Sequence, residues 1–203
     1  MIDLVRKQLT LSIETMTRVL HDEAIHEAVV EAARITAEAM KHGRKLMVCG
    51  NGGSAADAQH LVAEFVSRLT VDRPALRAIA LTTDTSILTA IGNDYSYDNV
   101  FERQVEALGQ EGDVLLAIST SGNSKNCIKA LKRAKAMGLH TVAYTGNKGG
   151  GMSAIAEINV VVPSDTTMNI QESHLALEHI YCMVVERFYF GEDFGKKKQE
   201  LAE

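Results

Sequence analysis

His60 and Glu64 stand four residues apart in Gly50-Asn51-Gly52-Gly53-Ser54-Ala55-Ala56-Asp57-Ala58-Gln59-His60-Leu61-Val62-Ala63-Glu64, directly behind a glycine-rich turn. On a helix, positions i and i+4 share one face, so the imidazole and the carboxylate can serve as an acid/base pair or as two ligands of one metal ion. The turn follows the apolar run Leu46-Met47-Val48-Cys49. A turn that ends a strand and starts a helix is where α/β proteins hold anionic ligands. An anion cradle and a pair capable of proton or metal chemistry thus lie within 15 residues. At about 100° per residue, Ala58, Val62, Phe65 and Leu69 form the apolar stripe of this helix, with Asp57, His60, Glu64 and Ser67 roughly opposite. The bland account of such a face is that it is simply solvated. If the pair does chemistry, something must cover it, because reactions need partial exclusion of water, and a second subunit is the simplest cover.

Two further strand ends carry small-residue loops. Ser119-Thr120-Ser121-Gly122-Asn123-Ser124 follows Val114-Leu115-Leu116-Ala117-Ile118, and Thr145-Gly146-Asn147-Lys148-Gly149-Gly150-Gly151 comes later. In an open parallel sheet such loops crowd one edge. Hydroxyls plus the free N–H groups of a helix start near Ser124 suit a phosphate, bound by hydrogen bonds and helix-end dipoles with little fixed positive charge. The alternative is an ordinary turn in which Ser124 only caps its helix. The run Gly50-Asn51-Gly52-Gly53-Ser54-Ala55 also fits the dinucleotide fingerprint G-x-G-x-x-G/A. That fingerprint needs an acidic residue about 20 positions on, at the end of the next strand. Asp84 comes too late and Asp72 precedes the strand, so a nucleotide site is set aside.

The elements that must position these residues can be read from periodicity. Ile2, Leu9, Ile13, Met16 and Leu20 keep helical spacing, as do Ile25, Val29, Ala32 and Met40, and His42-Gly43 ends the second helix. Short apolar runs follow at Lys45–Cys49, Arg77–Leu81, Asp113–Ser119, His140–Tyr144 and Asn159–Val162, separated by helical stretches at 54–69, 86–107, 124–137 and 152–156, with a long helix over 168–190. Such alternation predicts an α/β fold with a parallel sheet covered by helices on both faces. The last helix carries Gln171, Glu172, His174 and His179. Leu177, Ile180, Tyr181, Val184 and Phe188 form its core stripe, yet Leu175, Cys182 and Met183 make the other side apolar too. A helix apolar nearly all round is buried, here against the sheet and against neighbouring chains. On such a helix Glu172 stacks with His179 better than Gln171 does, and a lone buried histidine is more often structural than functional.

Composition narrows the classes. With 203 residues the chain is read as one domain, an N-terminal helical pair over 1–43 and an α/β core with its C-terminal helix over 44–203. A net charge of −5 argues against a nucleic-acid surface. No apolar run reaches the roughly 18 residues that span a bilayer, and the start at Met1-Ile2-Asp3-Leu4 has no signal-peptide core. Cys49, Cys127 and Cys182 are odd in number and far apart, so they read as reduced thiols of a cytoplasmic protein. The tail Lys196-Lys197-Lys198-Gln199-Glu200 reads as a solvated end.

Cys49-Gly50-Asn51-Gly52-Gly53-Ser54, His60-x-x-x-Glu64, Ile91-Gly92-Asn93-Asp94, Ile118–Ser124 and Ile170-Gln171-Glu172…His174…His179 together resemble the sugar isomerase (SIS) domain family and, within it, the sedoheptulose 7-phosphate (phosphoheptose) isomerases. The resemblance runs over nearly the whole chain. It implies a five-stranded parallel sheet flanked by helices, with N- and C-terminal helices making the contacts of a homotetramer whose sites lie between subunits. It implies conversion of sedoheptulose 7-phosphate to D-glycero-D-manno-heptose 7-phosphate through an enediol, towards lipopolysaccharide or capsule heptose. Phosphate would rest on Ser119, Thr120, Ser121 and Ser124, and the sugar on Asn51, Gly52, Gly53, Ser54, Asn93, Asp94 and Gln171. Glu64 would be the base and His179 its acid/base partner. Some members hold one zinc per subunit through the residues matching His60, Glu64, Gln171 and His179; an amide is the weakest of these ligands. The rival is a non-enzymatic SIS tetramer that binds the replication initiator DnaA. Glu64, Gly53 and the Ser121 hydroxyl favour the enzyme.

Overall fold

A computed structural model describes residues 1–194, so the Lys196–Glu200 tail lies outside the described residues. Helices α1 (Ile2–Leu20) and α2 (Glu23–Lys41) open the chain. Asp22 separates them because its carboxylate accepts from the Ala24 and Ile25 amides and caps α2. Gly43 ends α2 in the left-handed region, at φ +74°, as expected. Strands and helices then alternate: β1 (Leu46–Gly50), α3 (Gly53–Val66), β2 (Ala78–Ala80), α4 (Thr85–Asp94), a 3-10 turn (Tyr97–Asn99), α5 (Glu102–Leu108), β3 (Val114–Ser119), α6 (Lys125–Ala136), β4 (His140–Gly146), α7 (Gly150–Ser153), β5 (Ile158–Val162) and α8 (Thr167–Phe190).

All five strands are parallel, in the order β2-β1-β3-β4-β5. Successive strand residues face opposite sides. Leu46 and Val48 of β1 join Ala33, Phe65, Tyr181 and Val185 beneath α2, α3 and α8, while Met47 and Cys49 join Val105, Leu131 and Ala134 beneath α5 and α6. Helices on both faces explain why β1 and β3 are buried at every position. All three cysteines are free and buried. The chain leaves β1 for β2 on one side, then crosses back to β3 on the other. The carboxyl ends of β1 and β3, on either side of that reversal, form the switch-point crevice where ligands usually sit in this topology.

Three expectations need correction. The stretch 86–107 is not one helix but α4, the 3-10 turn and α5. Ser96 sits in extended backbone and accepts from the Asp98 amide, which starts a new turn where Gly92 and Asn93 have weakened the old one. On α3, Asp57 belongs to the buried set with Ser54, Ala58, Leu61 and Phe65, and not to the solvated face. On α8, Leu177 and Tyr181 are core residues as read, but Ile180 and Phe188 are exposed and the inward face is instead Ser173, His174, Leu177, Glu178, Tyr181 and Val185. Glu172 also points elsewhere, accepting from Ser12 Oγ of α1 at 2.7 Å.

Candidate active site

The turn after β1 is built by glycines for two different reasons. Gly52, which precedes α3, sits at φ +56°, a conformation that other residues enter only at a cost. A Cβ on Gly53 would run into the Gln171 amide. Gln171 thereby reaches past Gly53 and donates from Nε2 to Asp57 Oδ2 at 3.0 Å. Asn51 is held by a reciprocal amide pair. Its Nδ2 donates to Asn126 Oδ1 at 2.9 Å, and Asn126 Nδ2 donates back to Asn51 Oδ1 at 2.8 Å. Asn126 lies in the first turn of α6, so this pair bridges the crevice between the two loops. Asp84 is the cap of α4, accepting from the Ile87 amide at 2.9 Å, which removes it as a ribose ligand.

The loop after β3 answers the question of Ser124. Its hydroxyl makes no cap bond to α6. It meets Ser119 Oγ at 2.9 Å, and Ser121 Oγ lies 3.4 Å from Ser119 Oγ while accepting from the Asn123 amide. The side chain that normally satisfies a first-turn donor is turned away, which suits an anion at the start of a 12-residue helix. The loop is pinned from behind. The Gly146 amide donates to the Thr120 carbonyl at 3.1 Å, the Met152 amide to the Gly122 carbonyl at 2.9 Å, and the Gly151 amide to Asn123 Oδ1.

His60, Glu64 and His179 come together although 119 residues separate the two histidines. Their ligand atoms all lie within 4.8 Å of one another. His60 Nε2 is 2.8 Å from His179 Nε2 and 3.6 Å from Glu64 Oε1. At 2.8 Å one ring must donate its proton to the other's lone pair; two inward lone pairs beside a carboxylate are also a donor set that suits a divalent transition metal. The His60 side chain is 43% exposed and Glu64 18%. That exposure fits the sequence argument that this face wants a cover.

Other site residues are placed less centrally. Ser54 is buried in the first turn of α3. Asn93 and Asp94 are exposed at the end of α4, where Asn93 donates to Asp94 Oδ1, and Asp94 lines a groove with Ile87, Tyr95 and Arg103. Among the described residues no hydrogen bond ties either to the other site residues. His174, which periodicity sets apart from His179, is wholly buried and bonded through Nε2 to the Thr145 carbonyl at 2.9 Å. Burial pushes its pKa down to about 4, against the pull of that carbonyl. Glu178, unmarked by any motif, is also fully buried, and neither carboxylate oxygen has a partner among the described residues. Burial, with a smaller push from Asp57, raises it to about 8, so it is protonated at neutral pH. Asp57 is itself raised by burial, against the opposing effects of the Gln171 hydrogen bond and the His60 charge. Asp57 and Asn126 were the residues hardest to foresee. Asp57 does sit one turn before His60, but Asn126 has no sequence signal beyond following the hydroxyl loop.

The SIS domain family model matches residues 12–146. The phosphoheptose isomerase of Clostridium acetobutylicum is 50% identical over 188 residues, covering 93% of this chain and 96% of that protein. That of Akkermansia muciniphila is 55% identical over 163 residues, 80% of this chain and 86% of that protein. The solved structure of phosphoheptose isomerase GmhA from Neisseria gonorrhoeae superposes with a TM-score of 0.85 at 43% identity, covering 91% of this chain and 97% of that one. These relatives leave the DnaA-binding alternative without support. With its hydroxyl loop, its glycine turn and its His-x-x-x-Glu pair in place, the chain belongs to the SIS-domain family, among the phosphoheptose isomerases.

Proposed function

We infer that the chain interconverts sedoheptulose 7-phosphate and D-glycero-D-manno-heptose 7-phosphate. The observation that carries this is the convergence of Glu64 with two imidazoles, in a chain half identical to phosphoheptose isomerases. The substrate phosphate binds at Ser119, Thr120, Ser121 and Ser124, where the first turn of α6 adds its dipole. Asn51, Gly52, Gly53, Ser54 and Gln171 hold the sugar chain, with the Asn51–Asn126 pair fixing the turn. Asn93 and Asp94 act at the sugar from the outer end of α4.

Glu64 removes the C1 proton of the ketose and returns a proton to C2 of the enediol, which yields the aldose. His179 carries protons between the oxygens on C1 and C2. Carbon acids of this kind need a carboxylate held close and partly desolvated. His60, Glu64 and His179, with the Gln171 amide oxygen as the weakest member, are the residues that would hold a zinc ion. When bound, such an ion polarises the substrate's carbonyl oxygen as a Lewis acid.

The apolar side of α1 supports a homotetramer with sites between subunits. Ile2, Val5, Leu9, Ile13 and Leu20 are each more than half exposed, at the spacing of one helix face. Among the described residues no helix is long and apolar enough to cross a membrane.

The test is to incubate purified protein with sedoheptulose 7-phosphate in deuterated water and follow the sugar by NMR. An aldoheptose phosphate carrying deuterium at C2 is expected where the enediol exchanges with solvent. No aldoheptose phosphate, with or without added zinc, sinks this reading.

A further inference from the structure

We propose that Arg73 is a positioning residue for the isomerisation, gripping the end of α3 and tying it to α8 so that Glu64 and His179 keep their working separation. The proposal rests on the reading of Glu64 as the base. Arg73 lies in the irregular segment between α3 and β2, outside every motif of the site, and touches none of the reacting groups. Its side chain is 1% exposed and Glu186, its partner on α8, 3%.

One guanidinium reaches three ways. Nε donates to Glu186 Oε1 at 2.7 Å, Nη2 to the Glu64 carbonyl at 2.7 Å, and Nη1 to the Phe65 carbonyl at 2.7 Å. The carbonyls belong to the last turn of α3, which ends at Val66 and has no basic residue of its own there. Carbonyls at a helix end have lost their i+4 amides and take a cation well. Glu186 stands seven residues after His179 on α8, two turns along nearly the same face. The planar fork therefore joins the backbone of the base itself to the helix carrying its partner. It fixes both the distance between the two helices and their relative rotation.

Stability is a poor explanation for this arrangement. Burying an arginine and a carboxylate strips both ions of their hydration, and apolar replacements often match or exceed the net result. Geometry is the better one, since misplacing a catalytic group by about 1 Å can cost about 100-fold in rate. A lysine at this position would keep the charge but not the three directions.

The experiment measures kcat and KM for sedoheptulose 7-phosphate with Arg73→Lys and Glu186→Gln, each in the native and the Glu64→Gln backgrounds. Assays are run well below each variant's Tm, with far-UV circular dichroism as the check on folding. Expected are native spectra, KM within about twofold and kcat lowered about 10- to 100-fold. In the Glu64→Gln background the same changes should alter kcat less than about twofold, because residues acting through one group are not additive. Native kcat in folded Arg73→Lys, or an equal loss in both backgrounds, overturns the proposal. If Arg73→Lys does not fold, Glu186→Gln, which keeps an acceptor of the same shape, decides by the same criteria. Native turnover in Glu64→Gln alone would instead remove the base itself, which distinguishes failure of that reading from failure of this one.

Discussion

Ser119 and Ser124 illustrate what spacing can and cannot say about single residues. The cluster of hydroxyls before a helix start suits a phosphate, but two roles for Ser124 fit the sequence equally well. The structure separates them because the Ser124 hydroxyl turns towards Ser119 and makes no cap bond to α6, whose Cys127 amide donates instead to Asn126 Oδ1. We therefore expect Ser119→Ala combined with Ser124→Ala to raise KM for the phosphorylated sugar by about tenfold or more, with a smaller change in kcat. Steady-state kinetics check this, and an unchanged KM would place the phosphate elsewhere. Asp57 shows the opposite case. A helical wheel assigns a charged residue to the wet side, yet Asp57 is buried because Gln171, from a helix 114 residues away, supplies its hydrogen bond. No local pattern carries that information.

At the scale of elements, α8 is the piece that periodicity described least well. Its periodicity points to Leu177, Ile180, Tyr181, Val184 and Phe188 as the inward stripe, but the face chosen by packing includes two ionisable groups, His174 and Glu178. Their shifts have opposite consequences for stability. The folded His174 value of about 4 lies below that of a free imidazole, so between about 4 and 6.5 the unfolded chain binds the extra proton and stability rises with pH. The folded Glu178 value of about 8 lies above that of a free carboxyl, so from about 4.5 to 8 the folded chain holds the extra proton and stability falls as pH rises. The two oppose each other at acid pH, which leaves Glu178 alone between about 6.5 and 8. Each pH unit there removes up to about 1.4 kcal/mol. The native protein should therefore lose Tm from pH 6.5 to 8, whereas Glu178→Gln should be nearly flat over that window. Thermal melts followed by circular dichroism decide, and parallel curves would mean that Glu178 is not the proton holder.

The whole molecule adds what no element shows. The apolar helical stripe of α1 is largely in solvent in the single chain, and only Thr15 and Val19 of that helix are buried. The exposed His60 asks for a cover as well. Leu9→Lys together with Ile13→Lys should give a smaller species by light scattering at micromolar concentration and a lower turnover. A double variant that keeps both native mass and native turnover would disconnect α1 from assembly.

The alternation of strands and helices, the parallel sheet, the two small-residue loops and the His60–Glu64 pair can all be read from residue order alone. Each of these is written in short-range periodicity, in turn chemistry or in residues one helical turn apart. No local pattern shows that His179 meets His60, that Gln171 binds Asp57, that Asn126 pairs with Asn51 or that Arg73 ties α3 to α8. Those contacts join residues 75 to 119 positions apart, in pairs whose partners follow from how the helices pack over the sheet. Side-chain spacing along a chain encodes which face a residue is on, and packing alone encodes which residue that face meets.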